Sequence, residues 1–462
     1  MRIAVVGMGK IGLPLATQYA SKGHEVIGVD INPTTVAKIN DGKEPFPGEY
    51  GMAEKLADLV PAGKLRATTD YSEAIPNAEA VVIVVPLFVN DQTWEPDLSI
   101  MDAATTSVGE NLKPGTLITY ETTLPVGTTR NRFKPMLEKL SGLEESKDFW
   151  MVFSPERVLT GRVYQDLRTY PKLVGGLTDD GTARGIAFYQ SVLDFDERPE
   201  LAQPNGVWDM GTAEAAEMAK LAETTYRDVN IGLANQFARF ADKAGIDVMK
   251  VINACNSQPY SHIHRPGIAV GGHCIPVYPR LYLSTDPDAT VVRNARIANS
   301  EMPAYAVGRL ADVLARDGVS LDGATVVVLG AAYRGGVKET AFSGVFATVD
   351  ELRKRGAKVV VHDPMFTDDE LAHFGFDAYH YGEPVDAAIL QADHKEYRTL
   401  KADQIPGARV ILDGRTVMDP ANFPDAKYVR IGLGRDYEDA ATESATDEAF
   451  ARAALATDAE QE

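Results

Sequence analysis

Cysteine is almost absent from this chain. Cys255 and Cys274 are the only two, too few for a disulfide framework or a cysteine-built zinc cage, so each serves either packing or chemistry. No metal centre is expected. Positive charge is also short: 46 lysines and arginines stand against 66 aspartates and glutamates, a formal net charge of -20 at pH 7. Such a field opposes nucleic acid and anionic membrane as partners, although local cationic residues can still hold a single anionic metabolite. Long apolar runs are missing as well, since nothing approaches the roughly 18 residues of a membrane-crossing helix. The opening "MRIAVVGMGKIG" reads as a glycine-punctuated strand rather than a secretory signal, and a cytoplasmic protein is expected.

What is present is enough apolar sequence for real cores: 45% of the 462 residues are hydrophobic and 24% charged. At roughly 150 residues per domain this predicts two or three globular domains. "RIAVVGMGKIGLPLATQYASKGHEVIGVD" reads as strand, tight turn, amphipathic helix and second strand, a βαβ unit. Buried strands follow at "AVVIVV" (Ala80 to Val85) and "TLITYET" (Thr116 to Thr122), so the first domain is expected to be doubly wound and parallel. From Gly211 the pattern becomes a proline-free helix of more than thirty residues that ends at Gly245, a length suited to linking domains or forming a dimer interface. A second α/β pattern begins at "ATVVVLGAAYRGG" and includes "RGAKVVVHDP" and "ARVILDGRT". The expected class is therefore α/β: two Rossmann-like, doubly wound parallel-sheet domains, 1–205 and 309–435, joined by a central helical domain, 206–308. Residues 436–462 are acidic and alanine-rich, and read as a mobile tail.

Gly7, Gly9 and Gly12 form G-x-G-x-x-G between a strand and a helix start. They allow the tight turn, the approach of backbone to a pyrophosphate, and close helix-to-strand packing. Lys10 and Ile11 occupy the variable positions, and Asp30 ends the second strand, where a carboxylate accepts ribose hydroxyls and repels a 2′-phosphate. The expected cofactor is NAD rather than NADP.

A thiol beside a dinucleotide site suggests oxidation through a covalent intermediate, because a thiohemiacetal loses hydride to give a thioester that water opens. Such chemistry needs a thiolate and a cationic or hydrogen-bonding partner for the oxyanion. "GGHCIPV", with "AEMAKL" upstream, "TTLPVG" and "SPERVL", resembles the UDP-glucose/GDP-mannose dehydrogenase family over about residues 1 to 435, and is most similar to its branch acting on UDP-N-acetylhexosamines. The resemblance implies a four-electron, NAD-dependent oxidation at carbon 6 of a nucleotide sugar by a homodimer. It implies Cys274 as nucleophile, Lys220 as oxyanion partner, Glu156 in water or proton handling, and Thr123 between nicotinamide and sugar. It further implies Thr224 in the catalytic set, and Arg227, Asn230, Gly271, Tyr333, Arg334 and Arg415 as substrate contacts, with the last domain holding the nucleotide sugar.

Several positions depart from the family pattern. Thr224 replaces an asparagine, and Tyr278 replaces an aspartate four residues after the cysteine; a phenol, which ionises near pH 10, is a poor base at neutral pH. "VPLF" at Val85 to Phe88, Tyr260 in "QPYSHI" and Ala341 are further departures, with His262 and His264 as possible replacement donors. Alternatives therefore stay open: another nucleotide sugar, release at the aldehyde, or a nucleotide-sugar-binding protein without turnover.

Overall fold

The computed structural model describes residues 1–90 and 93–434; the acidic segment read as a mobile tail lies outside them. Two compact units emerge: Met1–Thr224 with Arg280–Asp288, and Thr225–Pro279 with the chain from Ala289 onward.

The first unit contains β1 (Arg2–Val6), β2 (Glu25–Val29), β3 (Leu65–Thr68), β4 (Ala80–Ile83), a short hairpin of β5 (Phe88–Val89) and β6 (Pro96–Asp97), then β7 (Leu117–Tyr120), β8 (Trp150–Phe153), β9 (Lys172–Gly176) and β10 (Val207–Thr212). Eight of these form one sheet in the order β10-β9-β8-β7-β4-β1-β2-β3. The six strands from β3 to β8 in that order are parallel, as expected for a doubly wound sheet. β9 runs antiparallel to β8, and β10 pairs parallel with β9, an edge extension that periodicity alone does not announce. Alternation along β1 sends Ile3 and Val5 into one apolar layer with Leu13 and Leu15, and Ala4 and Val6 into the opposite layer with Ala104 and Val108. Both faces are covered, which is why these strands read as unbroken apolar runs.

The long helix covers Ala213–Ala244, 32 residues. It starts two residues later than the sequence pattern suggests, because Thr212 pairs with Gly176 and keeps Gly211 in β10. Gly245, at φ +69°, ends it in the left-handed conformation that favours glycine. No helix among the described residues is long and apolar enough to cross a membrane.

In the second unit, β11 (Thr325–Leu329), β12 (Lys358–His362), β13 (Asp377–Ala378), β14 (Ala387–Leu390), β15 (Val410–Asp413) and β16 (Lys427–Arg430) form a wholly parallel sheet, order β13-β12-β11-β14-β15-β16. Val326 and Val328 face a core with Ala234, Ala238 and Ala241 of the long helix and with Ala306 and Leu310 of the helix Met302–Arg316. The small residues at i, i+4 and i+7 form one stripe of the long helix. Beside it Asp228 and Arg296 make a buried ion pair at 3.0 Å.

Candidate active site

The three glycines after β1 fill distinct roles. Gly7 sits at φ +96°, and a Cβ on Gly12 would lie 1.8 Å from the Gly7 carbonyl oxygen. A Cβ on Gly9 would meet nothing within 4 Å, so this backbone borders open space at the start of the helix Gly12–Ser21, whose first turn holds no acidic side chain. This is the opening a pyrophosphate needs. Ile11 is half-buried as the residue before the helix, and Lys10 is exposed. Asp30 accepts from the Met8 N–H at 2.9 Å and from the Asn32 N–H at 2.8 Å. Its carboxylate is thereby fixed at the lip of the turn. The residues fit a dinucleotide.

At the ends of β7 and β8 the same unit buries a cluster of charges. Lys172 Nζ donates to Glu121 Oε2 at 2.7 Å and to Glu156 Oε2 at 2.8 Å. The second oxygen of Glu121 accepts from the phenols of Tyr189 at 2.7 Å and Tyr19 at 3.2 Å. The second oxygen of Glu156 accepts from the Arg157 N–H at 2.7 Å. Burial pushes the Glu121 carboxyl up to about 7 although Lys172 pulls the other way. Burial acts in the same sense on Glu156, but there the Lys172 charge and hydrogen bond win and its carboxyl lies below the usual range. Burial works against the charge of Lys172, yet the two carboxylates raise its pKa overall.

Lys220 and Thr123 are both buried in this unit. One turn before Lys220 on the long helix, Glu217 accepts from Gly127 N at 2.5 Å, Thr129 N at 3.0 Å and Thr129 Oγ1 at 2.7 Å. That ties the lysine-bearing helix to the "TTLPVGTT" loop that carries Thr123. Burial drives the Glu217 carboxyl up to about 7 against the pull of these donors. Thr224 directs its hydroxyl back to the carbonyls of Lys220 at 3.1 Å and Leu221 at 3.2 Å. Its hydroxyl proton is engaged on its own helix.

In the second unit Cys274 is exposed, whereas Cys255 is partly covered. The Cys274 carbonyl accepts from Val277 N at 3.2 Å and Tyr278 N at 2.9 Å, starting a helical turn that brings the Tyr278 hydroxyl to 3.8 Å from Sγ. Upstream, a Cβ on Gly271 would lie 2.7 Å from Tyr333 Cβ and 2.9 Å from the Phe342 carbonyl oxygen, and Gly272 is left-handed at φ +88° against the Tyr333 ring. The glycines are therefore demanded by packing against the loop after β11. His273 pairs with Glu339 at 3.0 Å in the same region.

Arg334 donates to the Tyr333 hydroxyl at 3.3 Å, and Arg415 lies 3.7 Å from Asp393. The Arg415 loop is held by the buried Asp413, which accepts from the N–H groups of Arg415, Thr416, Val417 and Met418 and from Tyr428 Oη. Arg227 is exposed. Asn230, expected among the substrate contacts, holds its neighbouring loop: it donates to the His262 carbonyl at 2.6 Å and accepts from His264 N at 3.1 Å. Burial, aided by Arg227, lowers the pKa of the His264 ring. The second unit thus brings Cys274, Gly271, Tyr333 and Tyr278 together, while the first ties the helix that carries Lys220 to the loop that carries Thr123.

Glu121, Lys172, Glu217 and Asp413 were not singled out from the sequence. For the first two a signal existed, a charge at the end of the apolar run "LITYE" and one opening "KLVGG". Charged residues are rarely enclosed in strand ends unless paired.

Residues 1–193 match the NAD-binding domain of the UDP-glucose/GDP-mannose dehydrogenase family, 214–300 its central domain and 327–420 its UDP-binding domain. The UDP-N-acetyl-D-mannosamine dehydrogenase of Pyrococcus horikoshii is 35% identical over 443 residues, covering 94% of this chain and 99% of that protein. The solved structure of the UDP-D-ManNAc dehydrogenase from that organism superposes with a TM-score of 0.82 at 32% identity, covering 94% of this chain and all of the other. An NDP-N-acetyl-D-galactosaminuronic acid dehydrogenase from Methanosarcina mazei gives 0.80 at 30% identity, covering 93% of this chain and 95% of that one. With all three domains matched in order and the dinucleotide turn formed, the chain belongs to the UDP-glucose/GDP-mannose dehydrogenase family, as an NAD-dependent nucleotide-sugar dehydrogenase.

Proposed function

We propose that the chain oxidises carbon 6 of a UDP-linked N-acetylhexosamine from alcohol through aldehyde to carboxylate, using two NAD per sugar. The observation that carries the reading is Cys274, the exposed one of the two cysteines, on a loop whose glycines let it pack closely against Tyr333 and Phe342. When bound, NAD accepts the hydride of each oxidation. Cys274 Sγ adds to the aldehyde carbon, and the Lys220 ammonium stabilises the oxygen that becomes negative. Loss of hydride leaves a thioester. Glu156 takes a proton from the water that attacks it; the C–S bond then breaks and the sulfur is restored. Thr123 orients the reacting carbon. Arg227, Arg334 and Arg415 serve the diphosphate and sugar as charge-assisted donors suited to such anions, and Tyr333 serves them as a neutral donor. The division at 205/206 and 308/309 into cofactor, central and nucleotide-sugar parts goes with this reading.

A homodimer in the cytoplasm is part of the same proposal. Tyr226, Leu233, Phe237 and Phe240 are exposed large side chains of the long helix, Tyr226 at 58% and Phe240 at 65%. With Asn230 they alternate by four and three residues, the spacing of a seam between paired helices.

A second reading is favoured by Tyr278: a phenol beside the thiol, in place of a carboxylate, slows hydrolysis so that the thioester accumulates or aldehyde escapes. A panel of UDP-sugars with NAD, followed at the NADH band, separates the two. Two NADH per sugar with steady release of acid supports complete oxidation, one NADH per sugar marks escape of the aldehyde, and a burst of two NADH per enzyme followed by slow turnover marks an accumulating thioester. None with any sugar, despite thermal stabilisation by ligand, would mean binding without turnover.

A further inference from the structure

The charge cluster beneath Glu156 is expensive as a structural device. Each buried ion costs several kcal/mol of lost hydration, and a well-packed apolar trio is often as stable. Lys172 is 4% exposed and Glu121 fully enclosed, while Glu156, at 11%, keeps a contact with solvent. The Glu156 N–H also donates to the Glu121 carbonyl at 3.2 Å, so the two loop ends are joined by backbone as well as by the lysine. Every oxygen of both carboxylates has a donor, and Glu156 is the member that faces outward.

We infer that Lys172 and Glu121 are positioning residues for the oxidation: they hold the Glu156 carboxylate in one orientation and divide a single positive charge between it and a buried partner. This rests on the proposed role of Glu156. While Glu121 is ionised, the Lys172 charge is shared, and Glu156 is a stronger base toward water than it would be facing Lys172 alone. Once Glu121 is protonated, Lys172 serves Glu156 alone, and the carboxylate becomes a weaker base. The other groups facing the cluster are the phenols of Tyr19 and Tyr189 from the helices Gly12–Ser21 and Asp179–Val192, Asp166 from the helix Val163–Thr169, and Arg157 next in sequence. The phenols stay neutral, since burial first and the Glu121 charge second raise both well above their ordinary range. Burial likewise raises Asp166, against the pull of Arg162.

The test uses the full chain with UDP-N-acetylmannosamine and NAD, in four variants: Glu121→Gln, the charge-balanced pair Glu121→Gln/Lys172→Met, Lys172→Arg and Glu156→Gln. The first two are expected to lower kcat about tenfold with both KM values within about twofold, while Lys172→Arg, which keeps the charge, retains most of the wild-type rate. The acid limb of the kcat profile near neutral pH should disappear in Glu121→Gln. An infrared titration of the protein without substrate reads the cluster directly: the carboxylic-acid band that ionises near neutrality should be lost in Glu121→Gln. If Glu156→Gln is impaired while the other three match the wild type, this inference is overturned and the Glu156 role stands. Unimpaired Glu156→Gln would remove the role itself, and the inference with it. A wild-type infrared titration unchanged by Glu121→Gln would also overturn the inference, whatever the sugar.

Discussion

The hydroxyl of Tyr278 lies 3.8 Å from the sulfur of Cys274, one helical turn away and pinned by the backbone hydrogen bond from Tyr278 N to the Cys274 carbonyl. A phenol in this place accepts from the thiol and donates to a thiolate. A carboxylate there would instead repel the thiolate while offering water a base. A phenol offers water no base at neutral pH, so in the proposed reaction hydrolysis falls to another group.

If Glu156 supplies that group, Tyr278→Asp changes the steady-state rate only about twofold to threefold and the wild type completes both oxidations. A pre-steady-state NADH burst with a sugar adduct on the quenched wild-type protein, relieved only in Tyr278→Asp, would show that nothing has replaced the carboxylate.

Cys274→Ser should abolish acid formation, because serine is a far weaker nucleophile at neutral pH than a thiolate. Cys255→Ser should be nearly silent, since that side chain is only partly covered and lies on the helix Val248–Asn256. Equal behaviour of the two variants in an acid-product assay would reassign the nucleophile.

Asp30 should favour NAD over NADP by at least roughly tenfold in kcat/KM, the effect of a like-charge contact above about 1.4 kcal/mol. Asp30→Ala narrows that gap, and it also frees the Met8 N–H that the carboxylate now satisfies. Equal use of both cofactors by the wild type would refute the assignment.

Two alanine substitutions in the glycine turn should part company. Gly12→Ala forces a Cβ to 1.8 Å from the Gly7 carbonyl oxygen and is expected to cost about 1–3 kcal/mol of stability. Gly9→Ala projects into open space, so its melting temperature should match the wild type while NAD affinity falls about tenfold. Calorimetric titration and thermal melts on the same samples distinguish these outcomes.

Replacing Phe240 by glutamate should split the proposed dimer, because a charge then sits on the seam of exposed aromatics. Light scattering at micromolar concentration should give half the wild-type mass. An unchanged mass would move the interface elsewhere.

Much of this was legible in the chain itself. Runs such as "RIAVV" and "TVVVL" announce strands buried on both faces, and the glycine spacing after β1 announces the turn. These are local patterns, written within a few residues by alternation, by the absence of Cβ atoms and by helix-ending glycine at Gly245. The family motifs around Lys220 and Cys274 are local in the same sense. Contacts between distant segments were decided only by the tertiary structure. Lys172 meets a carboxylate 51 residues away, and Glu217 caps a loop 90 residues upstream; no period in the sequence encodes such pairings. Asn230 and Thr224 show the same limit from the other side. Their residue types suggest a substrate contact, but that Asn230 also holds a loop backbone and Thr224 also bonds its own helix's carbonyls is decided by what packing places beside each polar group.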